Sequence, residues 1–165
     1  MSFDPNTHAS SQQSSKPTQT SITKKISDDD YSHLAAFRFA LRKFMVFSEE
    51  AAQEAGLMPQ QHQALLAIKY LSIKGLPSVG DIADRLLLRH HSVVELISRM
   101  ARMGLVKRLR DPDDGRRVRV ALTEHAEETL ASLSATHLAE LQAIRPLLIQ
   151  LLQRFDEEPP EPRSG

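Results

Sequence analysis

Cysteine is absent from all 165 residues, which removes disulfides, thiolate nucleophiles, cysteine-ligated zinc and thiol redox sensing. Tryptophan is absent too, and aromatic residues make up only 5% of the chain. A core must therefore be built from Leu, Ile, Val, Ala and Met, a palette that suits packed helices better than a β-sandwich. No apolar run approaches the ~18 residues of a membrane helix, and the N-terminus lacks a signal-peptide core. The expectation is a soluble, cytoplasmic protein with no membrane partner. Phosphate-binding loops, G-x-S-x-G and paired carboxylates in a Gly-rich setting are all missing, so no enzyme is expected. Net charge is also missing, with 21 Lys and Arg against 21 Asp and Glu. A zero sum argues against a nucleic-acid partner only if the charges are evenly spread.

The length suits one domain with tails. Residues 1–27 are mostly Ser, Thr, Gln and Asn with scattered Pro, and burial there could not offset the entropy of ordering. Residues 157–165 read the same way, which leaves a domain over 28–156. Asp28, Asp29 and Asp30 suit a helix N-terminus. Leu34, Phe37, Leu41, Phe44 and Met45 then recur at helical spacing as far as Gly56. Pro59 opens a second helix carrying Leu65, Ile68 and Leu71, and Gly75-Leu76-Pro77 breaks it. Ser78, with Asp81 three residues on, caps a short helix. Another runs from His90 to Met103 on the stripe Val93, Leu96, Ile97 and Met100, closed by Gly104.

The period then changes. Residues 105–110 are β-compatible, and Val118, Val120 and Leu122 alternate with Arg117, Arg119 and Ala121. Between them Asp111-Pro-Asp-Asp-Gly115 is dense in turn formers, so the segment is a hairpin. Thr123 caps a final helix, with Pro146 expected to kink or restart it. Two short helices joined by a tight turn and followed by a charged hairpin predict a mainly α fold, a winged helix-turn-helix with a two-stranded wing.

Charge is concentrated in this middle section. From Arg85 to Arg119 there are ten basic and four acidic residues, an excess of six that the rest of the chain cancels. Such a basic stretch could be an ordinary solvated face, but six excess charges in this supersecondary order form the electrostatic footprint of a duplex-DNA binder. His90, His91, Ser92, Glu95 and Ser98 are the positions expected to face the major groove, and Arg116 and Arg117 to reach phosphates or a minor groove. Arg99 and Arg102 suit scaffold or phosphate as well as base edges.

The segments IADRLLLRHHSVVELISRMARMGLVKR and DPDDGRRVRVALT resemble the MarR family of winged-helix transcriptional regulators, most specifically in Asp114-Gly-Arg116-Arg117 leading to Val120-Ala-Leu122-Thr123. The resemblance implies a homodimer joined by its terminal helices, bound to a pseudo-palindromic operator as a repressor or, less often, an activator, and released by a small ligand. It divides the chain into a DNA-binding lobe over 57–123 and dimerisation helices over 28–56 and 124–156. It also implies that Asp114 orients the wing arginine Arg116. By position only, Phe37, Arg38, Leu41 and Leu65 are candidates to line a ligand pocket. Met58 stands where the family often has Ser or Thr, and Ala126 where it often has Gly. Leu87 replaces a common turn Gly and is expected to alter the turn and hence the tilt of the recognition helix.

The many apolar positions of the first and last helices exceed what a small winged-helix core can bury, which independently favours a symmetric dimer over a monomer. His90-His91 invites a metal reading, with Glu95 four residues from His91 on the same face, but that pair lacks a third ligand of known proximity, so no metal or other cofactor is expected. His33, His62, His125 and His137 are expected to face solvent or to be hydrogen-bonded. A three-His sensor site remains the alternative that would make a metal-responsive regulator. The other alternative is a winged-helix module that docks on protein without DNA affinity.

Overall fold

The computed structural model describes residues 26–111, 114 and 117–153. The remaining residues, which include Arg116, most of the expected N-terminal tail and all of the C-terminal one, lie outside the described set. The long helix α1 spans Asp28–Glu54, followed by α2 over Pro59–Leu71 and a 3-10 turn over Ser72–Lys74. Helices α3 (Val79–Leu86) and α4 (His90–Arg102) precede strands β1 (Val106–Arg110) and β2 (Val118–Leu122). Helix α5 (Glu124–Gln153) ends the described chain. The fold is mainly helical with one two-stranded antiparallel sheet, as a winged helix requires.

Local capping chemistry sets most of these boundaries. Ser27, read from sequence as the end of the tail, is the N-cap of α1: its hydroxyl accepts from the Asp30 backbone, whose carboxylate accepts from the Ser27 backbone. Ser78 and Asp81 repeat the same reciprocal pair at α3. At α2, Gln61 Oε1 accepts from the Met58 backbone at 2.8 Å, which supplies half of that arrangement where Met58 cannot. Thr123 Oγ1 accepts from the Ala126 backbone and donates to the Gly104 carbonyl, which ties the start of α5 to the end of α4.

Helix ends follow one geometry three times. After α1, Gly56 donates to Gln53 O and Leu57 to Ala52 O. After α4, Gly104 donates to Ala101 O and Leu105 to Met100 O. Both glycines have positive φ, as this two-bond stop requires. After α3, Leu87 donates to Asp84 O and Leu88 to Ala83 O, with Leu87 itself left-handed at φ 55°. The expected alteration of the turn is therefore absent from its backbone: Leu87 adopts the glycine-like conformation rather than reshaping it. That conformation costs an L residue about 1–2 kcal/mol, and the Leu87 side chain, 93% exposed, recovers nothing by packing. Leu87→Gly is expected to raise stability by about 1 kcal/mol, a gain of a few degrees in Tm. A thermal melt in which the variant matches or falls below the wild type would count against strain at this position.

The core of the lobe is built as the spacing predicts. Leu65, Ile68, Ile82, Val93, Leu96, Ile97, Met100 and Val120 are fully buried, and α5 adds Ala126, Leu130 and Leu133. β1 and β2 pair with Val106 opposite Leu122 and Arg110 opposite Val118. Helix α5 runs without interruption from Glu124 to Gln153 with Pro146 inside it, so the expected restart does not occur.

Helices α1, α2 and α5 meet at a pair of histidine rings in tilted contact. His62 on α2, only 6% exposed, lies 4.7 Å from the His137 ring on α5. Phe44 and Phe47 of α1 present edges to His137. His137 Nδ1 lies 2.6 Å from the Leu133 carbonyl, which makes it the donor, and Nε2 lies 2.8 Å from Ser48 Oγ. His62 departs from the expectation of a solvent-facing or hydrogen-bonded ring: it is packed away at this junction. Burial, and then the charge of His137 when protonated, hold its pKa below the ordinary 6.5. The unfolded chain therefore takes up a proton near pH 6.5 that the folded chain resists. The His62 contribution to stability is complete above that pH and declines as pH falls through 6.5 towards the depressed folded value. In urea titrations across pH 5 to 8, His62→Phe should flatten this decline, whose slope is at most ~1.4 kcal/mol per pH unit. An unchanged slope in the variant would assign the decline to other groups.

Candidate nucleic-acid interface

Helix α4 buries Val93, Leu96, Ile97 and Met100 and so turns the opposite stripe outward. His91, Glu95, Ser98 and Arg102 follow along that stripe at steps of four, three and four, with His90 and Val94 beside them. His90, His91 and Glu95 are exposed, while Ser92 and Ser98 are half-buried. The Ser98 hydroxyl donates back to the Val94 carbonyl at 2.7 Å, so only its lone pairs are left for an outside donor. Val94, which the sequence reading leaves out, is part-exposed on the same face and offers the kind of apolar surface that meets a thymine methyl. Its signal is its place two residues before Leu96, opposite the buried stripe.

The cations near this stripe point outward. Arg85, Arg89, Arg99, Arg102, Lys107, Arg108, Arg110 and Arg117 are all exposed. Of the nearby acids, Asp111 is buried and Asp114 half-buried, whereas Glu95 is exposed on the stripe itself. Arg85 also lies over the Tyr70 ring, 4.4 Å from its centroid, and so pins α3 to α2. Arg117 ion-pairs with Asp114 at 3.3 Å. Arg116, the residue most expected to reach DNA, lies outside the described residues, and the orienting role of Asp114 towards it stays an expectation.

The alternation of β2 assigns Arg119 to solvent alongside Arg117, and here the structure differs. Arg119 is half-buried, and its Nε donates to the buried carboxylate of Asp111. Its Nη1 donates to the Leu76 carbonyl at 3.0 Å. Asp111 also accepts from the Asp114 backbone, and the Asp111 backbone donates to the Arg117 carbonyl. The Val120 backbone donates to Pro77 O at 2.9 Å, and Ser78 bridges to Arg119. The wing is thus fastened to the loop that enters α3 by one guanidinium and a short stretch of backbone. Asp81, at the start of α3, has its carboxyl held below the usual range. The hydrogen bonds from the Ser78 backbone and hydroxyl are the main causes, with Arg119 and Arg117 adding to them.

The candidate ligand residues differ in burial. Leu65 is fully buried in the lobe core, Phe37 is half-buried, and Arg38 and Leu41 are exposed. None of the four lines the grooves found at the wing base, beside Met58 or along α1 and α5. No group of three His, Cys, Asp or Glu among the described residues is placed to hold a metal. No helix among them is long and apolar enough to cross a membrane.

A family model described as the MarR family matches residues 55–117. AbsC from Streptomyces coelicolor, a MarR family transcriptional regulator, shares the fold with a TM-score of 0.66 and 23% identity, over 81% of this chain and 91% of that one. MepR, a transcription regulator of the Staphylococcus aureus multidrug efflux pump MepA, aligns with a TM-score of 0.62 and 20% identity, over 72% and 84% of the chains. A point mutant of MepR bound to an oligodeoxyribonucleotide aligns at 0.58 and 21% identity, over 70% and 82%. A search of curated protein sequences gave no match. With the outward stripe of α4 adjoining a basic wing, the chain shares the winged helix-turn-helix fold of these regulators and is similar to the MarR family over residues 55–117, the segment that carries both features.

Proposed function

We propose that the chain is a homodimeric repressor that binds a pseudo-palindromic operator in duplex DNA in the cytoplasm and is released by a small ligand. The observation that carries DNA binding is the juxtaposition of the outward stripe of α4 with exposed arginines, while the nearby Asp111 is buried against Arg119. His90, His91, Ser92, Glu95 and Ser98 meet the major groove, and Arg116 and Arg117 the phosphates beside it. The MepR mutant of the same fold is bound to an oligodeoxyribonucleotide, which supports the reading. Residues 57–123 form the DNA-binding lobe, and 28–56 with 124–156 form the dimer helices. Two recognition helices about 34 Å apart enter successive major grooves. An effector held between these helices and the lobes, near Phe37, Arg38, Leu41 and Leu65, stabilises another spacing. A near-complete switch needs a preference for that state of ~5 kcal/mol.

Duplex selection from random DNA followed by a salt titration tests this reading. Affinity should fall steeply with salt, and Arg116→Ala should lower both the affinity and the salt slope by about one phosphate contact or less. The selected sites should show two-fold symmetry. A wild-type chain with no duplex affinity even at low salt would instead be a protein-docking module.

A further inference from the structure

Five methionines carry all the sulfur of a chain without cysteine, and they are unequally placed. Met100 is fully buried, while Met45, Met58 and Met103 are exposed. Among the described residues, Met103 is the one whose sulfur accepts a hydrogen bond from another helix. It stands at the C-terminal end of α4, and Gln61 Nε2 on α2 donates to its Sδ at 3.0 Å. Gln61 is only 6% exposed, and the other end of its amide is committed, since Oε1 accepts from the Met58 backbone at 2.8 Å. The amide therefore cannot turn without giving up the bond that caps α2. Gln61 also lines a groove of about 370 Å³ with Met58, Gln60, Leu96 and Arg99, so a small solute can reach this junction.

From this arrangement we infer that Met103 is a site of reversible oxidation by hydroperoxides, with Gln61 selecting which face of the sulfur reacts. A thioether sulfur has two lone pairs, and the Gln61 N–H holds one of them from the protein side. Met103 is 51% exposed, which leaves the other to solvent. That lone pair attacks the terminal oxygen of the hydroperoxide. The S–O bond forms, the O–O bond breaks, and the departing alkoxide takes the peroxide proton and leaves as an alcohol. Sulfur is oxidised by two electrons and the peroxide is reduced by two, and the product is one sulfoxide epimer. Its electron-poor sulfur holds the Gln61 N–H less well, and a buried donor that loses its acceptor weakens the junction. The Met103 backbone donates to Arg99 O, and the Gly104 carbonyl beside it accepts from Thr123 Oγ1 at the start of α5. Oxidation therefore loosens the C-terminal end of the recognition helix and weakens duplex binding, a regulatory consequence that rests on the DNA-binding reading above.

The full chain, treated with tert-butyl hydroperoxide, tests the site without DNA. The two epimer-specific methionine sulfoxide reductases are then applied one at a time, and the Met103 peptide is weighed by mass spectrometry. On the folded chain one reductase should remove the Met103 sulfoxide and the other largely spare it, a bias of roughly fivefold or more. Chain oxidised while unfolded in guanidinium should give nearly equal epimers. Folded Gln61→Glu should do the same: it keeps an acceptor for the Met58 backbone, so the α2 cap survives, and it lacks the N–H. A Met103 that resists oxidation in the folded chain, an equal mixture in the wild type, or the same bias in Gln61→Glu overturns the site. Oxidised wild type should lose roughly fivefold in duplex affinity and regain it on reduction, while Met103→Leu treated alike keeps its affinity. No loss in the wild type, or an equal loss in Met103→Leu, overturns the regulatory half and leaves the site standing. A chain that binds no duplex before oxidation overturns the proposed function, and the epimer bias still decides the site.

Discussion

Arg119→Met should cost the folded chain about 3 kcal/mol, far more than an exposed strand arginine contributes. The Asp111 side chain is 3% exposed and would lose the Arg119 guanidinium. Removing one member of a buried ion pair typically costs 3–5 kcal/mol, because the other charge is left desolvated. Water reaches the Arg119 side chain, which is 30% exposed, and this moderates the penalty to the lower end of that range. Urea denaturation of wild type and variant gives the number. Adding Asp111→Asn to Arg119→Met should restore at least half of the loss, since no buried charge then remains. A double variant as unstable as the sum of the two single variants would show that the pair acts by shape rather than by charge. Duplex affinity should also fall by more than one phosphate contact, because the wing loses its tie to Leu76 as well.

The second large effect concerns the faces that a single chain leaves uncovered. Phe39, Leu41 and Val46 on α1, and Leu138, Leu141 and Leu147 on α5, are exposed apolar side chains. Covering each of them contributes up to about 1.5–3 kcal/mol. Phe39→Glu with Leu141→Glu would bury two carboxylates in the proposed dimer seam, at a cost of several kcal/mol. Sedimentation should find the wild type dimeric at micromolar concentration and the double variant monomeric. Duplex affinity should drop by about 10²–10⁴, the factor by which linking two half-site contacts raises avidity. A variant that stays dimeric would place the seam elsewhere. A monomeric variant with undiminished affinity would remove the two-fold operator from the proposal.

Boundaries with local causes were legible from the sequence. Ser78 with Asp81, Gly56, Gly104 and Thr123 each satisfy backbone groups within a few residues, so the pattern and its cause lie side by side. The outward stripe of α4 followed from its buried one by helical period. What escaped was set by partners distant in sequence or by context. Alternation placed Arg119 outside with Arg117, but the hairpin turn brings Asp111 back beneath it, and a buried carboxylate outcompetes solvent for the guanidinium. The ring contact of His62 with His137 joins residues 75 positions apart, and neither ring carries a local sign of it. Pro146 reads as an interruption from its chemistry alone, yet α5 carries on through it. Leu87 shows the converse: a residue that disfavours a conformation takes it because Leu88 N–H still closes on Ala83 O and the core fixes both flanking helices.

Helix α5 begins at the wing and ends among the apolar positions proposed for the dimer seam, which makes it a lever as much as a strut. From Glu124 to Arg145, ahead of Pro146, it runs for about 33 Å at 1.5 Å per residue. A tilt of about 5° at one end displaces the other by roughly 3 Å, close to the spacing of successive base pairs in DNA, 3.4 Å per strand step. The hydroxyl of Thr123 sits at the fulcrum, held to the Gly104 carbonyl at 2.7 Å. Angular changes too small to disturb the packing of a single helix pair can in this way be read out as a change of register on the duplex.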